Sequence, residues 1–248
     1  MKSINSITNF DTQSKKIAII SIFSVIYAIM RILPSFPLIG VPGASFSLAD
    51  ILIPVYAIIA GPYISAMSIA LGTFLGVVFG KPLIFLGWDF APATFSALLI
   101  GLIIHKNRLP AAIMFALGLI IFIMLPHTEL LIPINNQISI PYNWMHILAL
   151  LVLISPIGTK SINLIKENSN KTIFGLFIIA IIGTLFQHII GGIVFVSTLG
   201  IYLESINPEA FPGIWKSLVF IYPIERLAIA LAAAMLGTPI LKTLKSDK

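Results

Sequence analysis

The segment Tyr222–Arg226, YPIER, carries the polar groups that are best placed for chemistry. Tyr222, Glu225 and Arg226 lie inside an apolar stretch that is predicted to be a helix. Spacings of three and four residues put Tyr222 on one helix face with both charged residues. Placing a charged side chain in the hydrocarbon core of a membrane costs free energy, so this helix face must point into a helix bundle or a cavity. It predicts either an ion pair that holds two helices together or an anchor for a polar ligand.

A second polar set is Gln187 and His188, inside the apolar stretch 172–199. Each shares a helix face with glycines four residues away, and small residues of this kind allow close helix packing. The pair fits a histidine that is hydrogen-bonded to a neighbouring helix, and it also fits a ligand site.

The third set is Trp88 and Asp89 in the sequence GWDFAP. Tryptophan is common at the membrane interface, and Asp89 fits a cap for a helix that begins near Pro92. The structural and the ligand-binding interpretations both stay open. Asp50 is interpreted as a helix cap only.

No catalytic or nucleotide motif is present in the sequence. There is no Walker loop, no HExxH and no Gly-x-Ser-x-Gly, and the four histidines are scattered. The chain has no cysteine, which excludes disulfide bonds, thiolate metal sites and a cysteine nucleophile. We therefore expect no catalytic residue, no metal site, no cofactor and no enzymatic activity.

Composition indicates an all-α, polytopic membrane helical bundle. Hydrophobic residues make up 58% of the 248 residues and charged residues only 10%, too little polar surface for a soluble globule. We predict six to eight transmembrane helices in a single domain over residues 17–241, between cytoplasmic tails at 1–16 and 242–248. The eight candidate spans are 17–33, 47–61, 62–80, 83–105, 109–125, 144–158, 172–199 and 217–241.

The stretch Ser47–Gly80 is predicted to be a helical hairpin. Ser47 and Asp50 resemble a capping box, and Gly61-Pro62 separates two apolar segments. The second segment has small residues four apart, which favour close contact with another helix: Ser68, Gly72, Gly76 and Gly80.

The basic residues predict the topology. With the amino terminus in the cytoplasm, eleven of the 15 lysines and arginines fall on that side, which puts both termini there and predicts a multi-pass plasma-membrane protein. The charge is thus a topology signal, and nucleic acid is not an expected partner. The basic stretch 159–171 is predicted to be a loop.

The order of several motifs resembles the substrate-binding S component of energy-coupling factor (ECF) transporters. They are SLADIL, AGPYISA, the glycine stripe, GWDFAPATFSALLIGLII with HKNR, and, later, GLFIIAIIGTLFQHIIGG and YPIERLAIALAAAMLG. The family usually has six spans, so 109–158 would be an extra pair. Its Ala-xxx-Ala stripe, which meets the coupling subunit, corresponds to Ser24 and Ala28 with Ser21 close by.

The resemblance implies a subunit that captures a vitamin or related micronutrient from outside. It implies a transmembrane coupling subunit and two ATPase subunits as partners, in the lipid bilayer. By position it makes residues 34–46 a lid. The implied substrate-binding residues are Trp88, Asp89, Gln187, His188, Tyr222, Glu225 and Arg226.

Two other classes of function stay open. A stand-alone secondary transporter would use Glu225 and Arg226 as a proton-coupled pair. A membrane-embedded enzyme on a lipid substrate would need acidic metal-binding pairs at its cytoplasmic side, and the sequence has none there.

Overall fold

The computed structural model describes residues 12–135, 137–167 and 170–246, and it confirms the all-α class. The helices are α1 (Gln13–Ile32), α2 (Leu52–Val78), α3 (Ala91–His105), α4 (Arg108–Met124), α5 (Trp144–Ile154), α6 (Pro156–Lys166), α7 (Thr172–Phe195) and α8 (Phe211–Ser246). Short 3-10 turns at Leu48–Ile51, Trp88–Phe90 and Pro208–Ala210 precede α2, α3 and α8, and a π-helical turn, Val196–Tyr202, follows α7.

Two antiparallel β-hairpins connect helices at one end of the bundle. Strands β1 (Pro34–Pro37) and β2 (Ser45–Ser47) form the first, and β3 (Leu131–Pro133) and β4 (Ser139–Pro141) form the second. We call the β1–β2 hairpin the lid and this end of the bundle the lid end. At the tip of the lid, Gly40 has φ 89° and lies beside Phe195 and Ile214, so the lid reaches across to α7 and α8.

Helix α2 folds back on itself at Gly61, whose φ of 78° and ψ of 178° are not helical. Before this break, the Tyr56 hydroxyl donates to the Phe23 carbonyl of α1. After it, the Ser24 hydroxyl donates to the Ser68 carbonyl, and Gly76 faces Arg31. The first half of α2 thus runs antiparallel to α1 and the second half parallel to it, as expected of the predicted hairpin.

The predicted small-residue stripe on α2 packs against α1. A Cβ at Gly72 would lie 2.7 Å from the Ser24 carbonyl oxygen, so only glycine allows this approach. A Cβ at Gly80 would meet nothing within 4 Å, and Gly80, with φ 96°, lies just beyond the end of the helix. The predicted capping box is wrong, because Ser47 makes no side-chain cap and Asp50 bonds elsewhere.

Helix α7 is central and packs against α3, α4, α5, α6 and α8. Its glycines make these contacts close: Gly183 lies against Ile100 and accepts a hydrogen bond from Ser96, and Gly192 lies against Phe122. Because α7 is enclosed, the polar side chains near its middle are held inside the bundle.

The chain bends by 67° between α5 and α6. Arg108 donates to the Ser155 carbonyl at 2.9 Å, which holds the bend. The prediction of a loop over residues 159–171 is wrong as far as Lys166, because Ser155 caps a new helix there and Pro156 suits its first turn.

Among the described residues, four helical segments are long and apolar enough to cross a membrane, and the bent pair α5–α6 makes up to five. The four are Leu48–Val78, Trp88–His105, Thr172–Tyr202 and Pro208–Leu244. The predicted six to eight spans are not confirmed. Helix α8 is longer than the predicted span and continues into the expected tail as far as Ser246.

The outer faces of the helices carry large apolar side chains. On α1 and α4 about half of each such side chain is exposed, as in Ile22, Ile29, Ile113, Leu117 and Ile120. Exposed apolar surface on this scale is typical of a membrane or protein contact. Together with the apolar helices, it fits a multi-pass membrane protein.

Replacement of Gly101 tests the contact between α3 and the turn of α2. A Cβ at Gly101 would lie 2.4 Å from Pro62 Cα. We expect Gly101→Ala to destabilise the protein by about 1–3 kcal/mol, because backbone must move. Thermal unfolding in detergent measures this, and Gly213→Ala, whose Cβ meets nothing within 4 Å, is the control. Equal unfolding temperatures for both variants would contradict the described packing.

Candidate functional site

Two adjoining cavities lie beneath the lid. One, the polar cavity, has a volume of about 80 Å³, and its polar lining residues are Arg31, Ser45, Ser47, Asp50, Lys81, Asp89 and Gln187. The other, the aromatic cavity, has a volume of about 70 Å³, and its lining includes Phe46, Phe85, Gln187, His188, Phe195, Trp215 and Arg226. Leu38, Phe46, Phe85, Pro92 and Gln187 border both. The lid therefore closes over a small, divided site.

Gln187 stands between the two cavities. Its Nε2 donates to Asp50 Oδ1 at 2.9 Å, so α7 is joined to the start of α2. Both side chains are 5% exposed. Among the described residues, Gln187 Oε1 has no hydrogen-bond partner.

Arg226 borders the aromatic cavity and is 1% exposed. Its Nη2 lies 3.4 Å from Glu225 Oε2 on the same helix. The predicted ion pair therefore does not join two helices. The guanidinium also lies 5.2 Å from the centre of the Phe46 ring, a cation–π contact that ties α8 to the lid.

His188 and Tyr222 belong to a buried aromatic cluster behind the aromatic cavity. His188 Nδ1 lies 3.0 Å from His146 Nε2 on α5, and the Tyr222 hydroxyl donates to the Tyr142 carbonyl at 3.0 Å. Burial raises the pKa of Tyr142 well above its usual value, so this side chain stays neutral. His188 reaches the cavity wall, whereas Tyr222 packs on the His188 ring and supports it from behind.

Asp89 borders the polar cavity, but its carboxylate is already bonded to backbone. It accepts from the N–H groups of Ile84 at 2.8 Å and Phe85 at 2.9 Å, and so fixes the loop before α3. It does not cap the helix near Pro92 as expected. Trp88 is 56% exposed and lines an apolar groove of about 870 Å³ between α3, α4 and α7. It is therefore not brought to the cavities.

Lys81 is a site residue that sequence reasoning missed. Its ammonium donates to the Ser45 carbonyl at 2.9 Å and to the Ser45 hydroxyl at 3.3 Å, which ties the loop before α3 to the lid. Burial and the nearby Arg31 charge lower the pKa of Lys81. Asp50 was missed too, although a single charge in the apolar stretch 47–80 was a usable signal.

The predicted partner-contact residues on α1 lie in different environments. Ser24 and Ala28 are buried against α2, whereas Ser21 is exposed on the outer face. Of the three, only Ser21 is open to contact by another subunit.

Four polar atoms at or near the cavities lack partners among the described residues: Arg31 Nε, Gln187 Oε1, Glu225 Oε1 and Arg226 Nε. Leaving a buried polar group unpaired costs about 1–3 kcal/mol, and more for a charged one. A molecule that enters beneath the lid and supplies these partners removes the cost. The geometry thus favours binding of a small polar molecule.

Within the parts of the chain that the structure describes, no group of three or more histidine, aspartate or glutamate side chains is suited to hold a metal ion. The groups that line the cavities are one amide, three cationic side chains, the carboxylates of Asp50 and Asp89, the His188 ring and an aromatic wall.

The chain was compared with protein-family models, curated proteins and solved structures, and no match was found in any of the three.

Proposed function

We propose that the chain is a membrane-embedded substrate-binding subunit of the ECF S-component type. It captures a vitamin-like micronutrient from outside the cell and performs no chemistry on it. The observation that carries the proposal is the pair of cavities beneath the lid, bordered by polar atoms of Gln187 and Arg226 that have no partner in the described part of the chain.

The lid supports capture because it is held by contacts that can open. Lys81 holds its second strand through Ser45, and Arg226 holds Phe46 through a cation–π contact. Both contacts come from residues that border the cavities. A lid that is tied to the binding residues lets occupancy of the site control closure.

The distribution of charge supports an outward-facing lid. Arg108 contacts Ser155 and Thr159, so the α3–α4 turn and the α5–α6 bend lie together, away from the lid. Several basic residues lie in these segments: Lys106, Arg108, Lys160 and Lys166. By the positive-inside rule this end is cytoplasmic, and a plasma-membrane protein of this orientation receives its substrate from outside.

ATP-driven uptake through this subunit requires partners, because the chain carries no Walker loop. We propose a transmembrane coupling subunit and two ATPase subunits. The exposed face of α1 that carries Ser21 is available for the coupling subunit.

Gentle purification from the native membrane, followed by mass spectrometry, tests this function. We expect a small ring-containing molecule and ATP-hydrolysing chains to co-purify. Recovery of neither, with proton-driven flux or lipid conversion by the chain alone, would contradict the proposal.

Replacement of Arg226 tests its role in binding. We expect Arg226→Gln to weaken retention of the co-purified molecule by about tenfold or more, since a hydrogen bond to a charged group is worth about 1.5–3 kcal/mol. Trp88→Phe, on the separate apolar groove, should retain it at the wild-type level. Equal retention by both variants at unchanged unfolding temperature would remove Arg226 from the site.

Replacement of Lys81 tests the closure of the lid. Lys81→Met keeps the length of the side chain but removes its bonds to Ser45, so we expect the bound molecule to dissociate about tenfold faster. Lys216→Met, also at the lid end and exposed, is the matched control. Dissociation rates are measured by rapid filtration, and an unchanged rate for Lys81→Met would show that this tie does not hold the lid.

A further inference from the structure

The two cavities meet at Gln187, so any molecule that fills both must pass its side-chain amide. The orientation of this amide decides whether such a molecule meets a hydrogen-bond donor or an acceptor. That orientation is set by Asp50.

Asp50 fixes the amide because an ionised carboxylate only accepts hydrogen bonds. Three cationic side chains line the cavities around the Asp50 carboxylate, Arg31 and Lys81 in the polar cavity and Arg226 in the aromatic cavity. The Gln187 NH2 group must therefore turn to Asp50, as the 2.9 Å bond shows, and Oε1 points elsewhere. Oε1 has no partner among the described residues, so the site offers a free acceptor.

Arg226 offers the complementary group. A guanidinium only donates hydrogen bonds. Its Nη2 is paired with Glu225, whereas Nε has no partner in the described part of the chain. Both Arg226 and Gln187 border the aromatic cavity, which therefore presents one acceptor and one donor.

The remaining walls of this cavity favour a flat ring. Phe46 and Phe85 separate it from the polar cavity, and Phe195 and Trp215 line its other side. Aromatic side chains pack on a flat ring with offset-stacked or edge contacts. The polar edge of a ring in this space can form hydrogen bonds with Gln187 Oε1 and Arg226 Nε.

We propose that the site selects a ring that carries an N–H beside a C=O, that is, a cyclic amide or ureide. The N–H donates to Gln187 Oε1, and the C=O accepts from Arg226 Nε. Asp50 is a positioning residue that keeps the Gln187 amide in the acceptor orientation. This inference rests on the proposed function, because it names the substrate class of the same site.

Matched probe pairs test the selection. Purified protein is heated with millimolar uracil or 1,3-dimethyluracil, and with 2-pyridone or 1-methyl-2-pyridone, and within each pair the ring nitrogens carry either hydrogen or methyl. We expect the N–H members to raise the unfolding temperature and the methylated members to have little effect. Equal effects within both pairs, or no effect of either N–H member, would overturn the proposal.

Variants separate the positioning role of Asp50 from a structural role. Gln187→Leu should abolish the preference for N–H members, and Asp50→Asn should weaken it about tenfold, because the amide is then free to turn over. The double variant Asp50→Asn/Gln187→Glu reverses the direction of the hydrogen bond and still leaves an acceptor oxygen. We expect it to restore the preference. A double variant no better than Asp50→Asn would assign Asp50 a structural role only.

This proposal and the proposed function fail in different ways. If the native protein releases a bound molecule that lacks an N–H beside a C=O, the selection fails and capture stands. If it yields neither bound molecule nor ATPase partners, the proposed function itself fails.

Discussion

The buried hydrogen bond from Gln187 to Asp50 connects residues 137 positions apart and joins the central helix α7 to the start of α2. A polar pair in an apolar bundle is stable only when its members satisfy one another, so this bond fixes how the two segments meet. The lid emerges directly before Asp50, and the cavities open on either side of Gln187. The position of the candidate site thus follows from this bond.

A second feature of the candidate site is that Gln187 and Arg226 are each only partly hydrogen-bonded within the described part of the chain. Among the described residues, Gln187 Nε2 is paired and Oε1 is not, and Arg226 Nη2 is paired and Nε is not. Bundles that need polar contacts only for stability would pair these groups internally, because unpaired polar atoms reduce stability. Leaving them unpaired beside cavities favours a role in recognition.

Much of the fold was predictable because its signals are local. The turn at Gly61-Pro62, the glycine contacts of α2 and the buried YPIER face follow from helix periodicity and from residues with special backbone needs. The helical stretch 156–166 was missed because its lysines suggested a loop, whereas capping by Ser155 and the bonds of Arg108 stabilise it.

The candidate site was predictable only in part, since its contacts are not local. Gln187, His188 and Arg226 were found as polar groups in apolar helices, and all three border the aromatic cavity. Lys81 and Asp50 reach the site through pairing with Ser45 and Gln187, and nothing in their immediate neighbours predicts those partners. Trp88 shows the reverse case, because its exposure depends on how α3, α4 and α7 pack.

An experimental structure of the protein, purified gently from its native membrane, would show whether a small molecule is bound beneath the lid. We expect density for a small molecule beneath the lid, in contact with Gln187 and Arg226 and enclosed by Phe46. Density for a bound molecule only in the apolar groove beside Trp88, with the space beneath the lid filled by side chains, would contradict it.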